Sequence, residues 1–181
     1  GKHVVHLFGG HAPYTLRDLD GLSPNVFIGM NTAGPSAGAI FIRGIGYAEI
    51  EKTQSPQVGV MVDGIFQGTN TGQLVDMFDV AQVEIDRGPQ GVLYGKNTMG
   101  GMIAVTRVKP VLNEWHYTGS VQGGTYNAEL LKGRVNIPLV DDKLALKIGA
   151  MSTQRDGYYW NSTRQTDVGR VDYQTYTAAL L

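Results

Sequence analysis

Two folds in succession are predicted: an α+β domain, built on a mixed four-stranded sheet with short helices and loops, over residues 1–112, and then antiparallel β-strands of an incomplete transmembrane β-barrel over 113–181. Three observations carry this reading. Twenty-five glycines and only 17% charged residues in 181 disfavour a helical bundle, because each glycine inside a helix costs about 1 kcal/mol and serves better in turns and close backbone approaches. Glycine-punctuated apolar runs dominate as far as Pro110. Beyond it come longer segments that alternate apolar and polar residues and carry aromatic residues near their ends.

Within the first region, Ala39-Ile40-Phe41-Ile42-Arg43 and Val58-Gly59-Val60-Met61-Val62 read as short buried strands, each running into Arg-Gly or Asp-Gly turn chemistry. Leu74, Val75, Met77 and Phe78 are spaced close to one helical face and predict a short helix. Val83-Glu84-Ile85 is the next strand, and residues 102–108 form the last, after a glycine-rich loop.

In the second region Leu131, Gly133, Val135 and Ile137 alternate with Lys132, Arg134 and Asn136, and Leu144, Leu146 and Ile148 repeat the pattern around Lys147. Pro138-Leu139-Val140-Asp141-Asp142-Lys143 is the turn of an antiparallel hairpin. Residues 156–169, rich in Tyr, Trp, Asn, Ser and Thr, read as a long loop with Tyr158, Tyr159 and Trp160 at its base. A short turn at one end, a long loop at the other and strands able to reach the roughly 9–11 residues of a tilted membrane strand suit an outer-membrane barrel. An ordinary soluble sheet, apolar side inward, produces the same alternation.

Several function classes fall away. The net charge of -1 offers no field for phosphates, so no nucleic-acid partner is expected. Cysteine is absent, which removes disulfides and thiolate metal sites. No apolar run approaches the roughly 20 residues of a spanning helix. The start lacks an export signal and the end falls inside an apolar pattern, so the chain reads as cut at both ends. Gly91 to Gly95 is one residue short for a phosphate loop, and Asn97 follows Lys96 where Ser or Thr is needed. Gly44-Ile45-Gly46 lacks the third glycine of a dinucleotide fingerprint. His3, His6 and His11 lack ligand spacing, no nucleophile stands beside a base, and neither a metal, a cofactor nor an enzyme activity is expected.

The stretch Val83-Glu84-Ile85-Asp86-Arg87-Gly88-Pro89-Gln90-Gly91-Val92-Leu93-Tyr94-Gly95-Lys96-Asn97-Thr98-Met99-Gly100-Gly101-Met102-Ile103-Ala104-Val105 closely resembles the plug-domain signature of TonB-dependent outer-membrane receptors. Ile42-Arg43-Gly44 and Val62-Asp63-Gly64 resemble two further elements of that family, in its order. The resemblance covers residues 18–181 and leaves 1–17 atypical; the family's segment for its energy-transducing partner is not displayed there. Read physically, Gly88, Gly91, Gly95, Gly100 and Gly101 permit positive φ and close packing, while Pro89 stops the preceding strand.

What the resemblance implies is energy-coupled import of a scarce nutrient such as a ferric siderophore. A plug facing the periplasm closes a 22-stranded barrel in the outer-membrane lipid and is pulled by a TonB-type periplasmic protein. It places ligand contacts in loops after Arg43 (Gly46, Tyr47, Glu49 and Gln54) and after Asp63 (Phe66, Gln67, Thr69 and Asn70), with Arg43 itself either contacting ligand or supporting the plug. Glu84 and Arg87 are expected to latch the plug to the barrel wall, or to form a surface pair. Haem, cobalamin and glycans remain open as ligands, and a non-transporting barrel or a soluble plug-like binding module remains open as the alternative.

Overall fold

The computed structural model describes residues 2–6, 15–31, 34, 36–48 and 55–181. In chain order the elements are β1 (Lys2–His6), a 3-10 turn (Leu16–Leu19), β2 (Val26–Met30), β3 (Gly38–Ile42), β4 (Ile45–Tyr47), β5 (Val58–Val62), β6 (Ile65–Phe66), β7 (Val80–Arg87), α1 (Gly91–Tyr94) and β8 (Gly101–Arg107). There follow β9 (His116–Gly124), β10 (Ala128–Val140), β11 (Leu144–Arg155), β12 (Tyr159–Asn161), β13 (Thr166–Val168) and β14 (Val171–Leu180). The chain divides into two units, Gly1–Val108 and Lys109–Leu181.

Unit 1 holds two sheets around one core. A five-stranded sheet runs β1-β7-β8-β5-β6, and a three-stranded sheet runs β2-β3-β4. The larger sheet is mixed, as expected, since β5 pairs with β8 in parallel and its other pairs are antiparallel. The expected four strands are redistributed. Residues 38–42 pair with β2 and β4 in the second sheet, while β1 and the two-residue β6 complete the first. Ile28, Ile40 and Ile42 from one sheet and Val60, Val83 and Ile103 from the other meet in the same buried cluster. Burying one such side chain contributes roughly 1.5–3 kcal/mol, so this shared core holds the two sheets together.

Residues 74–78 are not helical. The Leu74 N–H donates to the Ser36 carbonyl (3.1 Å), Val75 accepts from the Leu16 N–H (3.0 Å), and Asp76 bridges to Thr15. Leu74, Met77 and Phe78 are all buried. Their apolar spacing reflects that burial, but one turn of helix closes too few hydrogen bonds to outweigh these long-range ones.

β7 ends where predicted, before Gly88 (φ 103) and Pro89, and α1 is a single turn closed by Gly95. Gly101 shows why this corner is glycine-rich. At φ 144 its added Cβ would sit 2.2 Å from the Asp86 carbonyl oxygen and 2.9 Å from Ile42, so only glycine lets β8 start against both.

Unit 2 is a four-stranded antiparallel sheet, β14-β11-β10-β9, with strands of 10, 12, 13 and 9 residues. The predicted hairpin is present: Ile137 faces Leu146 and Val135 faces Ile148, with the turn at 141–143. Register places Tyr117, Val121, Leu131, Val135, Leu146, Ile148, Tyr176 and Leu180 on one face. That face is the open one, with Tyr117 83% and Val121 78% exposed, whereas Asn136 and Lys147, paired on the opposite face, are 5% and 3% exposed. This is the inverse of a soluble antiparallel sheet, which turns its apolar side inward. Residues 156–169 are not a plain loop but carry the ribbon β12–β13. Asn161 makes its turn by accepting the N–H groups of Thr163 and Arg164 (3.0 Å each).

Replacing Gly101 by Ala should destabilise unit 1 by about 2 kcal/mol or more through strain and collision with backbone. Gly68→Ala, in open space, should change stability by less than about 0.5 kcal/mol. Urea unfolding of the two variants checks the contrast, and equal midpoints would refute the assigned role.

Candidate functional site

The two short motifs are hairpin turns of the same kind. Arg43 (φ 54) and Gly44 (φ 79) join β3 to β4, and Asp63 (φ 50) and Gly64 (φ 85) join β5 to β6. Positive φ at both central positions is the type I′ turn that matches strand twist. Holding a non-glycine residue there costs about 1–2 kcal/mol, so each turn needs outside support. Asp63 receives it from β8: its Oδ1 accepts the Arg107 N–H (2.8 Å) and its own N–H donates to the Val105 carbonyl (3.0 Å). The Arg107 guanidinium lies 3.6 Å from Oδ2, but both side chains are exposed and this pair adds little. The Arg43 N–H donates to the Asn25 carbonyl (2.8 Å), and its guanidinium lies 3.8 Å from where a Cβ on Gly88 would stand. The Arg43 guanidinium thus lies beside the glycine-rich corner.

The expected ligand residues are only partly on loops. Glu49 and Gln54 lie outside the described residues. Gly46 and Tyr47 belong to β4 and Phe66 to β6, because the two-residue turns send the chain straight back into the sheets. Gly46 is packed under its neighbours, its added Cβ standing 2.3 Å from the Ile40 carbonyl oxygen and 2.5 Å from the Phe41 ring. The Phe66 ring covers Gly59, 2.9 Å from that glycine's added Cβ.

Gln67, Thr69 and Asn70 do form a loop, and the structure gives it a partner that sequence reading missed. The Asn70 carbonyl accepts the Gly38 N–H (3.0 Å), and the Ser36 carbonyl accepts the N–H groups of Gly72 (2.9 Å) and Leu74 (3.1 Å). Gln73, 1% exposed, donates from Nε2 to the Val58 carbonyl (3.2 Å) and ties the loop to the first sheet. The Gly34-Pro35 dipeptide, a turn signal just ahead of Ser36, was what the sequence offered. Thr69 donates to the Thr71 carbonyl (2.9 Å), leaving the loop polar and partly open.

Glu84 and Arg87 are three residues apart on β7, so their side chains leave opposite faces of the strand. Arg87 donates to the Pro24 carbonyl (3.3 Å), and Glu84 accepts from Gln82 (3.5 Å). Residues 88–101 close into one corner by backbone hydrogen bonds: the Gly88 N–H donates to the Gly100 carbonyl (3.0 Å), Gly95 to Gly91 (3.1 Å) and Gln90 to Thr98 (3.1 Å), with Pro89, Tyr94 and Gly101 in the same stretch. Among the described residues no group of three His, Asp or Glu side chains could hold a metal.

This corner falls within a match to the TonB-dependent receptor plug domain that spans residues 11–102. The chain belongs to that family. The pesticin receptor of Yersinia pestis is 31% identical to this plug-bearing chain over 153 residues, covering 81% of the chain and 22% of the receptor. The hemin receptor of Yersinia enterocolitica is 48% identical over 52 residues, covering 26% of the chain and 8% of that receptor. The crystal structure of the ferric yersiniabactin uptake receptor FyuA from Yersinia pestis superposes with a TM-score of 0.82 at 26% identity, covering 99% of this chain and 28% of that one. The chain thus spans 22% of the length of the pesticin receptor and 28% of the FyuA chain.

Asp63→Ala should lower the stability of unit 1 by about 1 kcal/mol by removing the acceptor of the exposed Arg107 N–H and a residue type suited to positive φ, whereas Asp63→Asn, which keeps both, should lose less than half of that. Chemical denaturation separates them; equal losses would show that charge rather than the hydrogen bond supports the turn.

Proposed function

We propose that the whole protein takes up a scarce small nutrient, a ferric siderophore or similar chelate, across the outer membrane, and that residues 1–112 gate a barrel whose first strands lie in 113–181. The observation that carries this is the inverted sheet of unit 2. An apolar face left open across four strands of 9 to 13 residues suits lipid rather than water, and it follows a plug domain in the same chain. The relatives are named as receptors for pesticin, hemin and ferric yersiniabactin, and uptake of an iron chelate extends their class to this chain. No catalytic step belongs to this reading.

On this reading the plug faces the periplasm, where a TonB-type protein supplies the force. Tyr47, Phe66, Gln67, Thr69 and Asn70 meet the ligand together with Glu49 and Gln54. Gly46 serves by allowing close packing, Arg43 by bracing the corner, and Glu84 and Arg87 by latching the plug to the wall. Support for the ligand set comes from the Asn70 loop, a polar strip stapled at both ends whose side chains stay partly open.

In the full-length receptor, Tyr47→Ala and Asn70→Ala should each weaken binding of the cognate iron chelate by about tenfold, the size of one lost anchoring contact. Isothermal titration gives the constants. Affinities within twofold of wild type for both would remove this loop and strand from the site, and failure of purified receptor in liposomes to bind any iron chelate, haem or cobalamin would remove the import reading itself.

A further inference from the structure

At the end of the unit 2 sheet away from the turn at 141–143, Arg155 closes β11 and stands beside two tight connections. One is the turn between β9 and β10, with Tyr126 (φ 59) and Asn127 (φ 51) both at positive φ. The other is the root of the β12–β13 ribbon. There an added Cβ on Gly157 would stand 2.3 Å from the Val168 carbonyl oxygen, so glycine alone lets the ribbon close. The two connections are fastened to each other. The Asp156 N–H donates to the Tyr126 carbonyl (2.9 Å), and Asn127 Nδ2 donates to the Asp156 carboxylate (2.6 Å). The rings of Tyr126 and Tyr158 meet edge to face, with centroids 4.7 Å apart.

Tyr158 seats Arg155 in this frame. The guanidinium carbon lies 3.9 Å from the centroid of the Tyr158 ring, and Nη1 donates to the Tyr158 hydroxyl (2.5 Å). The opposite edge of the guanidinium is unmatched: Nε is closed off from solvent and has no hydrogen-bond partner. The carboxylates at this end of the sheet are engaged elsewhere, Asp156 by Asn127, Glu129 by Gln154 (2.9 Å) and Asp172 by Arg170 (3.0 Å). Glu129 and Asp172 are the carboxylates of β9, β10, β11 and β14, and both stand in register with Gln154 on the open face. Arg155 is the next residue along β11 and points to the other face, so neither reaches it.

A guanidinium held in this way is one half of a recognition pair. Tyr158 fixes its plane and occupies Nη1. The edge formed by Nε and Nη2 then presents two parallel N–H groups, the fork that matches the two oxygens of a carboxylate. A charged donor shut away from water without a partner is unfavourable, and an entering carboxylate removes that penalty while forming charge-assisted bonds. Tyr126 and Tyr158 are 54% and 51% exposed, so rotation of surface rings, rather than of a packed core, opens the way to this edge.

We propose that Arg155, seated on Tyr158, is a binding residue for a carboxylate, held bidentately through Nε and Nη2. On the import reading, on which this identity of the ligand rests, the carboxylate belongs to the imported chelate. The seat itself is built within unit 2 and does not depend on that reading.

The test uses the full-length receptor in a non-ionic detergent with 15N-labelled arginine, the Nε–H signal of Arg155 being identified by its loss in Arg155→Lys. Should that variant fail to fold, Tyr158→Phe identifies the signal, since it removes the one hydroxyl bound to this guanidinium and keeps the ring. Sodium citrate should move the signal along a saturating curve, and sodium chloride at equal ionic strength should not. Tyr158→Phe should weaken the citrate response at least threefold, because Nη1 is no longer seated. Ferric citrate should move the same signal, whereas ferrichrome, a neutral chelate without carboxylates, should leave it in place. No response to citrate, an equal response to chloride, or an equal response to ferrichrome would overturn the carboxylate site. Citrate alone decides whether the site exists, so its failure is read separately from a failure of the receptor to bind any iron chelate.

Discussion

Everything in unit 1 depends on how closely the start of β8 can approach its neighbours. β7 must reverse, pass through the corner at 88–100 and return as β8, antiparallel to β7 and parallel to β5. At Gly100 an added Cβ would stand 2.8 Å from the Ile45 carbonyl oxygen, and at Gly101 2.2 Å from that of Asp86. The glycine pair therefore admits two backbones where other residues would admit none. Through Ile42 and Ile45 the same contact sets the turn between β3 and β4 against the first sheet, so one close approach fixes both the order of the larger sheet and the seat of the smaller.

The turn motifs serve that arrangement rather than standing apart from it. Arg43 and Asp63 are held at positive φ, at a cost of about 1–2 kcal/mol each. Asp63 recovers it by binding β8 at Arg107 and Val105, while Arg43 leans on Gly88. The charged residues of the two turns thus each hold backbone hydrogen bonds, and the loop around Asn70 stays polar and partly open. In unit 2 the balance is different. Its sheet is specified by alternation alone, and its apolar side is the one left open.

These two kinds of specification explain what could be read without coordinates. The hairpin of β10 and β11 was legible because side chains alternate with period two and the turn is rich in Asp. The ends of β5 and β7 were legible because Asp-Gly and Gly-Pro admit few conformations. Residues 74–78 were misread as a helix because burial on one side gives apolar spacing whatever the backbone does, and the deciding hydrogen bonds came from Ser36 and Leu16, far away in the chain. The ribbon in 156–169 was hidden by its polar composition, which is equally that of a loop.

The amino-acid sequence by itself determined the two regions, the strand periodicities, the glycine-rich corner and the family to which the plug belongs, because these rest on local backbone preferences and on an ordered set of motifs. Only the tertiary structure decided that strand 38–42 leaves the main sheet, that Gly46, Tyr47 and Phe66 sit on strands, that the Asn70 loop is stapled to residues 36–38, and which face of the unit 2 sheet is open. Those outcomes are set by hydrogen bonds and packing between residues distant in the chain, and no local pattern records which partner each group will meet.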